Sequence, residues 1–157
     1  MRLRTACCRA FAALLLAGVA HAADAPAGVR YLDPAGLSKP TGYTHVVDVP
    51  AGARTLYLSG QIALDAKGNL VGSGDFAAQA MQVFANIDTA LKASGASFRN
   101  VVKLNMYVTD MTQLKALRAA RDKYIDAQHP PASTLVEVSK LAREGLLLEV
   151  EATAVLP

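Results

Sequence analysis

Cysteine is almost missing from this chain. Cys7 and Cys8 are adjacent near the start, and no other occurs. From Ala23 onward there is therefore no disulfide, no cysteine-ligated metal and no thiolate nucleophile. Histidine is also scarce, with three residues, His21, His45 and His129, far apart and without clustered acids. That spacing argues against a histidine metal site. The signatures G-x-x-x-x-G-K-[ST], G-x-S-x-G and H-E-x-x-H do not occur, which removes the commonest nucleotide, serine-hydrolase and zinc-protease readings. Gly72-Ser73-Gly74 is too short for a dinucleotide loop, and no His/Asp pairing is visible that would activate a serine.

Long apolar runs are missing too. The best, Phe11–Ala20, is about ten residues, too short to cross a bilayer as a helix. Its surroundings explain it better. Arg2, Arg4 and Arg9 precede or border it without an acid, and Ala20-His21-Ala22 follows as a small-x-small site. This is the pattern of a cleavable secretion signal over residues 1–22. No cysteine stands at the cleavage site to carry a lipid. The expected product is a periplasmic or secreted protein without a membrane attachment.

Cleavage changes the charge. The full chain has 16 Lys and Arg against 13 Asp and Glu, a formal net charge of +3. Loss of the three signal arginines leaves the two signs equal, so the basic isoelectric point belongs to the precursor. A neutral mature chain lacks the basic surface that phosphate binding requires, and no nucleic-acid partner is expected. Residues 23–40 hold Pro26, Gly28, Pro34, Gly36 and Pro40 and read as a linker or lead-in. Residues 41–157 then form one domain, long enough to bury a core unaided.

The elements follow from pattern. Thr44–Val49 and Thr55–Leu64 read as strands separated by turn chemistry at 50–53, hence an expected hairpin. Phe76, Ala80, Val83, Phe84, Ile87 and Leu91 recur at helical spacing and predict a helix over Phe76–Ala93. Ser73 or Asp75 would cap its start, and Gly95 would take the left-handed position after its end. Val101–Val108 is a strand. A second helix is predicted over Thr112–Ala127, with Leu114, Leu117 and Tyr124 buried, stopped by Pro130-Pro131. Thr134–Val138 and Leu147–Val155 complete the order ββαβαββ, an α+β fold of two helices on one sheet. The last strand alternates: Leu148, Val150, Ala152 and Ala154 on one side, Glu149, Glu151 and Thr153 on the other. The polar side is either solvated or lines a space shared with other subunits. Glu149 and Glu151 are also the best local candidates for chemistry. They lie on one strand face, roughly 7 Å apart by strand rise, where carboxylates can hold or activate a water.

These pieces, in order, resemble the Rid (YjgF/UK114) family over about residues 30–157. The matching segments are Gly42-Tyr43, Ser59-Gly60-Gln61-Ile62, Gln79 to Asn86, and Val102-Lys103 through Tyr107-Val108-x-Asp110. Pro130-Pro131-Ala132 leading to Leu135-Val136-Glu137-Val138, and Leu148-Glu149-Val150-Glu151-Ala152, complete the match. The resemblance implies a chorismate-mutase-like α+β fold with a mixed sheet. It also implies a homotrimer with pockets between subunits, and cofactor-free hydrolysis of imines and enamines such as 2-aminoacrylate. Carried over residue by residue, Glu149 matches the water-holding glutamate, Tyr43 the pocket tyrosine, and Ser59 and Gly60 the pocket turn.

One departure matters. Where the deaminases carry an arginine that grips the substrate carboxylate, this chain has Ser133, which offers a hydroxyl and no charge. A second departure is Arg118, where those enzymes commonly carry asparagine. Arg118 is a candidate replacement anion handle, or else a solvated helix residue paired with Asp122 one turn on. Two functions stay open: a hydrolase of C=N or C=C–N bonds with a Glu149-held water, and a non-catalytic small-molecule-binding trimer on the same pocket.

Overall fold

The computed structural model describes residues 28–157; the expected signal, residues 1–22, lies outside the described residues. The element order is β1 (Arg30–Leu32), β2 (Val46–Asp48), β3 (Arg54–Ile62), α1 (Phe76–Ala93), β4 (Val101–Val108), α2 (Leu114–Arg121), β5 (Ala132–Glu137) and β6 (Leu148–Leu156). Short 3-10 turns at Phe98–Asn100 and Met111–Gln113 lead into β4 and α2.

The main sheet runs β3-β6-β4-β5. β6 is antiparallel to both β3 and β4, whereas β4 and β5 are parallel and joined through α2. α1 and α2 touch each other, and α1 packs on β3 and β6. Two helices on one face of a mixed sheet is the α+β fold that the pattern predicts.

α1 matches its expected bounds. Asp75 accepts from the Ala78 backbone N–H at 3.1 Å, and Gly95 has φ 75° just past the end. That left-handed φ is costly for any residue with a β-carbon. Phe84, Ile87 and Leu91 are fully buried against a sheet face carrying Leu104, Leu148 and Val150. Each such side chain contributes about 1.5–3 kcal/mol by leaving water.

Two expectations need correction. β2 does not form a hairpin with β3; it pairs antiparallel with β1, which comes from the segment read as lead-in. The Arg30 guanidinium donates to Asp48 across that pair, and the His45 N–H donates to Asp33 Oδ1 at 3.0 Å. α2 is also shorter than predicted, ending at Arg121. Beyond it the chain turns so that Tyr124 packs its ring on Phe84 and Phe98, 5.9 and 4.9 Å between centroids. Asp126 then accepts from the Gln128 N–H in a local turn that competes with further helix.

Among the described residues nothing covers the opposite face of the sheet. Tyr57 is 85% exposed there, and Glu149, Glu151 and Thr153 are half-buried on it. Among the described residues no helix is long and apolar enough to cross a membrane.

Candidate functional site

Strand register decides which side chains can meet. Glu149 pairs with Tyr107 of β4 and with Ile62 of β3, and Tyr107 pairs in turn with Val136. Paired residues share a face, so Glu149 projects from the open side. Ser133 pairs with Leu104, which pairs with buried Ala152. Ser133 therefore points to the helix side. One chain holds the predicted site residues as two separate groups.

The first group is on the open face. β3 shifts register between Leu58 and Gln61, so Ser59 and Gly60 together oppose the single residue Glu151. Such a bulge bends the strand and frees backbone from the ladder, a device common beside binding sites. The Glu149 carboxylate lies directly over Gly60, where any β-carbon would stand 1.9 Å from Oε1. Glycine there makes room for the acid.

The two candidate carboxylates have different surroundings. Glu151 Oε2 accepts from Asn105 Nδ2 and from the Tyr107 hydroxyl, both at 3.2 Å. Glu149 accepts no hydrogen bond among the described residues, so its oxygens remain available to a water or ligand. The Tyr107 phenol is pushed above its ordinary range. Desolvation is the main cause, followed by the charge and hydrogen bond of Glu151 and then the charge of Glu149.

The second group lines a cleft of about 200 Å³ between α2, β5 and the segment before β2. Tyr43, Ser133, Arg118 and Arg121 give its polar wall, and Leu117 and Leu135 belong to its apolar floor. Local bonding explains why Tyr43 is there. The Thr44 N–H donates to Pro131 O at 3.2 Å and its hydroxyl to Pro130 O at 2.6 Å, tying the chain before β2 to the turn that enters β5. His45 meets Tyr43 edge to face at 5.3 Å.

Arg118 lines this cleft and is exposed. It does not pair with Asp122. Arg121 takes that carboxylate instead, with Nε 2.8 Å and Nη2 2.7 Å from Oδ1. Arg121 escaped sequence reasoning; its spacing of three from Arg118 on one helix was the available signal. Gln79 also escaped as a support for the site, although it belongs to the resemblance. Fully buried, it donates to Gly72 O and Gly145 O and accepts from the Leu147 N–H at 2.9 Å. It thereby fixes the chain two residues before Glu149.

An α+β layer with a bulged strand under a free glutamate, and a separate small cleft beside the β5 edge, defines a class rather than an activity. Residues 36–156 match the family described as Endoribonuclease L-PSP, and the chain belongs to that family, which includes the Rid, YjgF and RutC proteins. A RutC family protein of Synechocystis is 37% identical over 103 residues, 65% of this chain and 78% of that one. The human 2-iminobutanoate/2-iminopropanoate deaminase is 33% identical over 101 residues, 64% of this chain and 72% of its own. Among solved structures, a Rid family protein of Yersinia pestis, described as of unknown function, superimposes with TM-score 0.74 at 36% identity. That match covers 82% of this chain and 98% of the other.

Proposed function

We propose that this chain is an exported homotrimer whose subunits bring the two groups together, with Glu149, Ser59 and Gly60 from one subunit facing Tyr43, Ser133 and Arg118 from the next. In that pocket it hydrolyses a small imine. The observation that carries the reading is the division of the site residues between two faces of one sheet, because a split site is completed only by a second copy. Similarity to proteins named as iminobutanoate/iminopropanoate deaminases supports the reaction type.

The chemistry needs no electron acceptor. Glu149 takes a proton from water as the oxygen adds to the C=N carbon, and the π pair goes to nitrogen. Glu149 returns the proton to nitrogen to give the carbinolamine, then takes the proton of the new hydroxyl and passes it to nitrogen; the C–N bond breaks, and ammonia leaves as the C=O forms. An enamine first takes a proton on carbon and gives one up from nitrogen to become the imine. One imine and one water give one carbonyl compound and one ammonia.

Ser133 favours a second reading. Without a charge at that position the pocket loses a fixed substrate grip, and the trimer would bind a small metabolite without turning it over. The test is ammonia release from 2-iminobutanoate generated in place by an amino-acid oxidase. Hydrolysis requires wild-type release above the uncatalysed rate and a loss of at least about a hundredfold in Glu149→Gln. No release above background, together with saturable binding of 2-oxobutanoate, favours the binder.

A further inference from the structure

We propose that Arg118 is the anion handle of the cleft, so that its ligand is a small monoanion with a short apolar body. This rests on the reading of the cleft as a ligand site. Two arginines line the cleft, and their circumstances differ. Arg121 is committed to structure: its side chain is 11% exposed and Asp122 neutralises it. Its guanidinium also lies against the backbone of Gly42, where a β-carbon would stand 2.6 Å from Nη2. Arg118 has no ion pair or hydrogen bond among the described residues. The acid one helical turn on, which would ordinarily take its charge, is held by Arg121.

The remaining lining agrees with this assignment. None of the described residues with which one chain lines the cleft is acidic, so the one carboxylate a bound anion would face is the Glu149 that the proposed trimer brings from the next subunit. Hydroxyls of Tyr43, Ser133 and Thr41 can donate to it, while Met106, Leu114 and Leu135 offer apolar surface to its body. At about 200 Å³ the space is below the roughly 300–1,000 Å³ of pockets for drug-sized ligands. A guanidinium binds a carboxylate through two parallel N–H···O bonds, and the charge comes from α2 rather than from β5, where Ser133 stands.

The experiment measures affinities of the intact wild-type oligomer for 2-oxobutanoate and for its uncharged counterpart 2-oxobutanamide by calorimetry. Arg118→Ala should weaken the carboxylate by at least about tenfold. It should leave the amide and the melting temperature unchanged, and it should abolish the salt dependence of carboxylate binding. Ser133→Phe, which fills the cleft, should remove binding of both probes. Equal affinity of Arg118→Ala and wild type for 2-oxobutanoate, with loss in Ser133→Phe, overturns the role of Arg118 and keeps the cleft as the site. Unchanged binding in both variants overturns both. Wild-type protein that binds the acid no better than the amide also overturns the proposal.

Discussion

The carboxylate of Glu149 rests on the bare backbone of Gly60: a β-carbon at residue 60 would stand 1.9 Å from Oε1 and 2.8 Å from Cδ. Both atoms belong to a flexible side chain, so the conflict is resolved by moving Glu149 rather than β3. Gly60→Ala should therefore cost only about 0.5–1.5 kcal/mol, the price of an off-rotamer side chain. It should nonetheless displace the carboxylate from the bulge. Chemical denaturation should show that small loss, while ammonia release falls nearly as far as in Glu149→Gln. Full activity in Gly60→Ala would show that the position of Glu149 over residue 60 is immaterial.

Glu151 should behave differently from its neighbour. Its bonds to Asn105 and Tyr107 tie β6 to β4, so Glu151→Gln should cost about 1 kcal/mol of stability and leave the chemical step of a bound imine largely intact. It also affects Tyr107. A phenol with a raised folded pKa holds its proton longer in the native state. The stabilising difference is present below the unfolded value of about 10 and is lost as pH rises through the folded value. Glu151→Gln should move the Tyr107 phenolate titration to lower pH. Difference spectra against Tyr107→Phe isolate that tyrosine from Tyr31, which is also raised, mainly by burial.

The legible parts of the fold were those where one physical signal dominates. α1 carries an apolar stripe, a cap and a following glycine that agree. The alternation of β6 separates Glu149 and Glu151 from the core. The β1–β2 pairing was hidden, because it depends on Arg30 meeting Asp48 and Asp33 meeting the His45 backbone, contacts across 18 and 12 residues with no periodicity. The end of α2 was equally hidden: Tyr124 fits a helical stripe, yet it reaches Phe84 and Phe98 only if the helix stops. For the site, residue types and the face of Glu149 were readable, but the placing of Ser133 on the opposite, helix side was not. That Arg121, and not Arg118, takes Asp122 is a choice between two equally plausible partners.

Gln79 links the core to the site and should be among the most sensitive polar positions. Gln79→Leu leaves the Leu147 N–H and the carbonyls of Gly72 and Gly145 without this partner. Buried groups left unpaired cost about 1–3 kcal/mol each, so a total loss of about 3 kcal/mol is expected from urea unfolding. Gln79→Glu should be at least as damaging, because its carboxylate could accept from Leu147 but would face two carbonyl oxygens. Loss of hydrogen-exchange protection at Leu147 in either variant would locate the damage. Wild-type stability in Gln79→Leu would contradict this account.

The split site makes a prediction about mixtures. If Glu149 serves a cleft on the neighbouring subunit, a trimer of Glu149→Gln chains and a trimer of Ser133→Phe chains should each be inactive. Mixed trimers would not be. A pocket is intact when its Glu149 comes from a Ser133→Phe chain and its cleft from a Glu149→Gln chain. In a random equal mixture, unfolded and refolded together, each condition holds half the time, so roughly a quarter of the pockets should recover. If the two groups acted within one chain, every chain would carry one lesion and no mixture could recover activity. Ammonia release by the refolded mixture therefore separates the two arrangements, and light scattering on the same sample should give about three times the subunit mass. A mixture as inactive as its parents would show that no neighbouring subunit completes the pocket, whereas a Ser133→Phe trimer that kept its activity would put the cleft and Glu149 in different sites.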